Sequence, residues 1–578
     1  MNWIEVCLFC SAVCGVIFLG IVKSKGHASS QSEQASDYFL AGRGLSWWLI
    51  GFSLIAANIS TEQFVGMSGS AANWLGMAIA SYEWMAAVTL VIVGFWFLPR
   101  FLKTGLYTIP EFLEYRFDGV ARLAMAIPAI VMMVFVSTSS VIYSGGKFVS
   151  EYYHTVPILN NLTMVCWLIG SLAALYVFIG GLKACAWTDL VWGSALILGG
   201  ALVAIMAFHQ LAQTPAEALI ATKVANSDAT LEQLEAAGAW QRFVLLNDGV
   251  SGEAIAVDGP NGSGGKCHMI RPARDTDLPW TALIFGLWIP NLFYWGLNQY
   301  IVQRTLGSKS LSEGQKGIVF AAFLKLLIPF VVVIPGMLAY NLFSSDLFNA
   351  QSGQYDYDRA FPVLVRNLIK PYPLVSWFVL AALSGAVISS LASMLNSAST
   401  IATMDLYSKF SGDKRPDRLV KVGRIFVLVF VVMAALVAPA LDRFSSIFAY
   451  IQEFQGFISP GILAIFLFGF FSPRTPRFFG AVGIAVNVLS YAAFKWWIGP
   501  LLASHGWWYA PQMAFLDRMA LCFILVVVIG CILTWLFPLR SPVVLPENRA
   551  IDLKPSRFAA WAGAGVVVAT AGLYLWFW

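Results

Sequence analysis

The stretch 51–70, GFSLIAANISTEQFVGMSGS, constrains the fold more than any other. It is apolar enough at its start to enter a lipid bilayer. It turns polar at Asn58, Ser60, Thr61, Glu62 and Gln63, becomes small and glycine-rich, and leads into a second very apolar segment. A continuous lipid-facing helix does not tolerate such a middle, because its polar groups find no water there. A helix that breaks at the bilayer midplane uses it. Freed carbonyls and short hydroxyls can coordinate a cation, and amide and carboxyl side chains can hold a solute. The other reading, a water-exposed loop between two short helices, conflicts with flanks this hydrophobic.

Composition agrees with a membrane setting. The 578 residues are 58 % hydrophobic and 12 % charged, with a mean hydropathy of +0.72, as in polytopic membrane proteins. The net charge of +5 comes mostly from short loops and calls for no nucleic-acid partner. The first apolar stretch, 3–22, lacks a basic leader and a small-residue cleavage site, and Lys23 and Lys25 follow it. It is expected to be a retained helix with its N-terminus outside. Cys7, Cys10, Cys14, Cys166, Cys522 and Cys531 lie in apolar segments, Cys185 at a helix entrance and Cys267 in a polar loop. Such scatter makes packing residues, not a disulfide framework. No HExxH is present, the CxxC at Cys7–Cys10 lies in an apolar segment, and there is no catalytic cluster, so the chain is not expected to be an enzyme or to need a cofactor.

The pattern predicts an all-α polytopic membrane protein with about 14 spans of roughly 20 residues: 3–22, 46–68, 74–100, 123–149, 159–180, 187–208, 279–303, 317–343, 374–407, 423–441, 445–471, 479–500, 516–537 and 558–578. Arg43, Arg100, Lys103, Arg304, Lys309, Lys316, Arg474, Arg477, Arg540 and Lys554, with the cluster from Lys409 to Lys421, fall on one side. The positive-inside rule makes that side cytoplasmic and, with an even helix count, puts both termini outside. Two longer outside segments remain, 209–278 and 346–370. The first should hold one or two short surface helices. It also contains AIAVDGPNGSGGKC, which resembles a phosphate-binding loop out of register: Pro260 stands where the first glycine belongs, and Cys267 replaces the metal-binding hydroxyl. A turn is expected there.

The second and seventh spans both look interrupted, at Asn58–Ser60 and at Pro290–Asn291, five helices apart. An odd number of helices per repeat inverts the second copy, and paired broken helices point to a midplane transport site. Charges inside spans include Glu62, Glu83, Asp189, Lys325 and Glu453. Such residues are costly in a membrane and usually functional. Glu83 and Lys325 can pair and share solute hydroxyls. Asp189, near the start of its helix, can also simply complement the helix N-terminus. In NLFYWGLN, Asn291 and Tyr294 share a helix face, an amide beside an aromatic ring of the kind that holds a pyranose. The run YIQEFQGFISPG adds Gln452 and Glu453, with Phe448 one turn earlier. In AVISSLASMLNSAST, Ser389, Ser390 and Ala386 offer hydroxyl and carbonyl oxygens, which hard cations take, though small residues also allow close helix packing.

At these residues the chain resembles the sodium/solute symporter family, in its sodium/glucose cotransporter branch. The likeness covers nearly the whole chain and rests on SLIAANISTEQFVGMSGS, IASYEWMAA, YTIPEFLEYRF, GGLKACAWTD, NLFYWGLNQYIVQRTL, KGIVFAAFLKLLIPF, SSLASMLNSASTIATMDLY and FAYIQEFQGFISPGILA. The resemblance implies one transporter domain over 1–578. It has an extra helix 3–22, inverted repeats at 46–208 and 279–471 in a five-plus-five core, the extracytoplasmic loop 209–278 between them, and extra helices 479–578. It implies a sodium site at the carbonyls of Ala56, Ile59 and Ala386 and the hydroxyls of Ser389 and Ser390, with Asp189 on the sodium exit. It implies sugar contacts at Gln63, Glu83, Asn291, Lys325 and Gln452, joined by Asn58 and Ser60, and gates at Met67, Tyr82, Tyr143, Phe448 and Tyr294. Ala86 and Ser137 depart from the galactose pattern, where a serine and an asparagine stand. The expected function is sodium-coupled symport of a monosaccharide such as galactose or glucose across a bacterial inner membrane, with one sodium per sugar. The resemblance implies a hydroxyl residue at position 392 in members that carry two, and Ala392 stands there. Alternatives are another polar solute (inositol, a nucleoside) and a sugar sensor that does not transport. The expected partners are sodium, the sugar and the bilayer; the oligomeric state stays open.

Overall fold

The computed structural model describes residues 3–24, 40–224, 227–249, 265–350, 353–444, 446–509, 512–548 and 551–578. The phosphate-loop look-alike falls largely outside them. Its described end, Lys266, is buried: the ammonium donates to the Ala72 carbonyl at 2.8 Å and lies 4.3 Å from the centre of the Tyr340 ring. That lysine ties the segment 209–278 to the helical core.

Among the described residues, nine helices are long and apolar enough to cross a membrane, and one bent pair, Ile447–Gly456 with Ser459–Phe471, passes the same test with a 43° bend. Shorter apolar helices are Cys7–Gly20, Trp47–Asn58, Leu162–Leu175 and Ala282–Leu297. The helices used below are α1 (Trp3–Ser24), α2 (Trp47–Asn58), α3 (Ser81–Ile92), α4 (Ser139–Tyr152), α5 (Leu162–Gln213), α6 (Trp288–Leu297), α7 (Gln299–Leu306), α8 (Leu311–Leu347), α9 (Pro373–Ile401), α10 (Ile447–Gly456) and α11 (Arg557–Trp576). The segment 209–278 carries three short helices, Ala216–Ile220, Leu231–Ala236 and Ala239–Asn247. Thr230 and Gln233 close a capping box on the second.

α5 is one helical run where two spans are expected, yet its arms are not collinear. A Cβ on Gly145 would lie 3.2 Å from both Ile169 of the first arm and Val387 of α9. One on Gly199, in the second arm, would lie 3.9 Å from Ala382 of the same helix. Thirty residues of straight helix would separate Ile169 and Gly199 by about 45 Å, so the run folds back and both arms flank α9.

The first predicted break is present. α2 ends at Asn58, Ile59 is extended (φ −92°, ψ 103°), and helix resumes beyond it with a π turn at Gln63–Met67. The second is misplaced in the sequence reading. α6 runs through Pro290 and Asn291, and the chain leaves helical geometry at Asn298 (φ −80°, ψ 123°), between α6 and α7. Pro290 follows the π turn Ala282–Gly286 inside one apolar helical stretch, Ala282–Leu297, and the helix carries on through it. Arg304 is likewise no loop residue; it is fully buried.

Candidate solute and cation site

The broken end of α2, the start of α3, α6, the middle of α8 and α10 converge on a cavity of about 710 Å³. Asn58, Gln63, Glu83, Asn291, Lys325 and Gln452 line it, as do the predicted gate residues Met67, Tyr82, Tyr294 and Phe448. Ala86 and Ser137, the two departures from the galactose pattern, face it too.

Its polar wall is a connected network. The Lys325 ammonium donates to the carboxylate of Glu83 and to the Asn58 carbonyl oxygen. The ammonium also lies 5.1 Å from the centre of the Trp295 ring. The Asn58 amide donates to the Tyr294 hydroxyl at 2.8 Å, and the Tyr300 hydroxyl donates to the same oxygen. Asn291 spends its NH₂ on the Leu287 carbonyl at 3.0 Å, which leaves its side-chain oxygen as an acceptor. The Gln452 side-chain oxygen is buried without a partner. A buried acceptor left unpaired is costly, and a hydroxyl-bearing solute in this cavity would satisfy it. Tyr82 and Phe448 meet edge to face at 4.9 Å across the cavity rim.

Two predicted residues lie elsewhere. Ser60 does not line the cavity: its hydroxyl donates to Glu62 at 2.8 Å and its N–H to the Gln63 side chain at 2.9 Å. It shapes the restart of the broken helix. Tyr143 also stands apart, donating to Asp442 at 3.1 Å outside the cavity. Glu453 points away, toward Arg518 at 2.6 Å and the Tyr491 hydroxyl at 2.9 Å. The cavity adds Glu62, Trp295, Tyr300, Met394 and Gln455, which the sequence reading did not assign to it. Gln455 follows Gln452 by three residues, so helical spacing alone puts both on one face.

The cation candidates gather one helix face away. Ser390 on α9 donates to the Ala56 carbonyl at 3.1 Å, at the end of α2, with Ala57 at 3.5 Å. Ala56, Ile59 and Ala386 are buried beside it. Ser389 turns the other way and donates to the Asp189 carboxylate. The other Asp189 oxygen accepts from Ser53 at 2.5 Å and from the Arg304 guanidinium at 3.1 Å. Arg304 also bonds Ser53 at 2.6 Å, the Ser393 hydroxyl and the Tyr300 carbonyl. Both charges of this pair are wholly buried.

A serine hydroxyl resting on the carbonyls at a helix break, beside a polar cavity in a many-helix membrane protein, can be set beside known proteins. The sodium:solute symporter family model matches residues 38–482. The chain belongs to that family. It is 37 % identical to a sodium/glucose cotransporter of Vibrio parahaemolyticus, over all of this chain and 99 % of that one. It is 31 % identical to sodium/glucose cotransporter 1 of Ovis aries, over 79 % of this chain and 67 % of the relative. A solved outward-open structure of a sodium-coupled sialic acid symporter shares the fold, with a TM-score of 0.69 and 20 % identity over 94 % of this chain and 99 % of that one.

Proposed function

We propose that the protein is a sodium-coupled symporter of a monosaccharide that works by alternating access. The observation that carries this reading is a juxtaposition. The cavity gathers a lysine–glutamate pair, an unpartnered glutamine oxygen and an aromatic ring. The break in α2 connects that cavity to the carbonyl on which Ser390 rests. The names of the Vibrio and sheep relatives support the same substrate class.

In this reading Asn58, Gln63, Glu83, Asn291, Lys325 and Gln452 bond the sugar hydroxyls, and Tyr294 stacks on the ring. Sodium at the carbonyls of Ala56, Ile59 and Ala386 and the Ser390 hydroxyl joins α2 to α9, and Ser389 joins that set only by turning from Asp189, which it bonds in this structure. The ion fixes the break, and with it the carbonyl and amide of Asn58. An ion drives such a cycle only through different affinities for the two states. The nine long helices, the bent pair and the four shorter apolar ones are consistent with fourteen spans in a five-plus-five core. The basic side faces the cytoplasm of a bacterial inner membrane, with both termini outside.

The test is counterflow in proteoliposomes with labelled glucose, galactose, inositol and a nucleoside. Sodium-dependent exchange of a monosaccharide is expected. Exchange of inositol or the nucleoside alone would replace the substrate, and binding without exchange would make the protein a sensor.

A further inference from the structure

We propose that the groove between α8 and α11 binds an anionic phospholipid from the leaflet at the basic end of the molecule. One acyl chain lies in the groove and the phosphate meets Lys316.

The groove, with the open space at its mouth, measures about 1010 Å³. Val319, Phe320, Phe323 and Leu326 form one wall, and Phe558, Ala562, Gly565 and Ala569 the other. From Lys316 to Leu326, and from Phe558 to Ala569, each wall runs about 15 Å at helical rise. That is half of the roughly 30 Å hydrocarbon core, the depth one leaflet's chain occupies. The groove is open: a Cβ on Gly565 would meet no atom within 4 Å, and Phe558 is 73 % exposed at the mouth.

Its polar end is the reason for choosing a phospholipid over bulk hydrocarbon. Lys316 is the groove's one charged lining residue among those described. Its only ion pair among the described residues is a long one, 3.5 Å to Glu313. The other oxygen of Glu313 is already committed to the Trp47 N–H at 2.8 Å. An ammonium has three donors, so the geometry leaves Lys316 free to meet a phosphate. The chain before α11 runs along the start of α8, with the Leu311 N–H on the Asp552 carbonyl at 2.9 Å and the Ser556 N–H on Gln315 at 2.8 Å. This brings Arg557, the first residue of α11, to the same end. Trp47 lines the mouth and meets Phe320 edge to face at 5.6 Å, and indoles favour headgroup depth. Basic pockets between helices at the cytoplasmic face select anionic headgroups. The groove ends at Leu326, beside the cavity lysine Lys325, and the Leu326 carbonyl accepts from Trp84 at 3.2 Å. A bound chain therefore backs the part of α8 that faces the solute cavity.

The experiment uses the full chain in phosphatidylcholine nanodiscs. These are doped with phosphatidylglycerol or phosphatidylcholine bearing a photoreactive acyl tail, and the labelled residues are mapped by mass spectrometry. Labelling should concentrate on Phe323 and on 565–569. Phosphatidylglycerol should be favoured by about fivefold, the discrimination one lysine gives near an anionic headgroup. Lys316→Gln should abolish the headgroup preference. Gly565→Trp, a lipid-facing change in open space, should abolish groove labelling while the protein stays monodisperse. Excess inorganic phosphate should change neither. Even labelling around the bundle, equal use of the two lipids, persistence in both variants, loss of headgroup preference with free phosphate, or cross-links between two copies would each overturn the proposal. None of these readouts depends on transport, so the outcome stands apart from the fate of the symporter reading.

Discussion

Ser389 and Ser390 are adjacent, buried and chemically identical, yet they face different partners. Ser390 rests on the Ala56 carbonyl of the broken helix, whereas Ser389 bonds Asp189. The sequence reading identified both as oxygen donors, but neighbours in a helix point about 100° apart, and only packing decides what each meets. If Ser390 is a sodium ligand, Ser390→Ala should lower sodium-driven uptake tenfold or more, since losing a bond to a charged group costs about 1.5–3 kcal/mol. Unchanged sodium activation in folded protein would remove it from the site. Gln452→Ala should weaken sugar binding by about 1–3 kcal/mol, read by calorimetry, because its oxygen has no other partner. Tyr294→Phe should keep transport and Tyr294→Ala should lose it, as the ring lines the cavity. Equal damage from both would mean that the hydroxyl, bonded to Asn58 and Tyr300, matters more than stacking. The Glu83–Lys325 pair was legible because two opposite charges inside spans have few other options. Arg304 was not, because a basic residue near a span end looks the same in sequence whether it faces water or a buried carboxylate.

At the scale of elements, the break in α2 was readable and the break after α6 was misread, for one reason. Polar, small residues inside an apolar run have no helical explanation, whereas a membrane helix can carry a proline, here just after the π turn Ala282–Gly286. Nothing but Asn298 itself marks the second break. The bend in the pair after Ile447 was missed too, and its first half matters. α10 carries Phe448 and Gln452, and two side chains hold its N-terminus. Ser446 accepts from the Ala449 N–H at 3.3 Å, and buried Asp358 accepts from the Ile447 N–H at 3.4 Å. Burial, then the neighbouring carboxylate Asp356, pushes Asp358 up to about 7, against the pull of Lys147. Lys147 is shared with Asp356 at 3.0 Å and Asp442 at 2.8 Å. A carboxyl raised in the folded state holds its proton more tightly there than in the unfolded chain, so protonation favours folding. This contribution is complete at acid pH, below the ordinary carboxylate range, and is lost as pH rises through about 7. Thermal unfolding of the purified protein should therefore show a stability component that declines between pH 4 and 7 and is absent in Asp358→Asn. The same decline in the variant would assign it to another group.

At the scale of the whole molecule, the central question is how many sodium ions move with each sugar, and the reading favours one. Symporters that couple two ions need a second set of oxygens, and the resemblance places a hydroxyl residue for it at position 392, near Asp189. Here Ala392 is buried with only a methyl group to offer. The structure adds a reason that the sequence did not supply. The Asp189 carboxylate is already met by Arg304, and Arg304 also takes Ser393. A guanidinium fixed to the protein thus supplies the positive charge that a second sodium would bring. Breaking such a buried pair would leave an uncompensated charge at a cost of about 3–5 kcal/mol, so a sodium ion does not displace it cheaply. One ion sets a modest reach. A potential of about 100 mV contributes roughly 2.3 kcal/mol per charge, and a tenfold sodium gradient about 1.4 kcal/mol. Their sum, roughly 3.7 kcal/mol, supports sugar accumulation on the order of 500-fold, and two ions would square that limit. In proteoliposomes, sugar and sodium gradients set against each other should stop net flux at a one-to-one balance. Ala392→Ser combined with Arg304→Gln frees the carboxylate and adds the missing hydroxyl, so it should move that balance toward two ions if the double variant still transports. A wild-type balance point that needs the square of the sodium gradient would show that Arg304 does not stand in for the second ion.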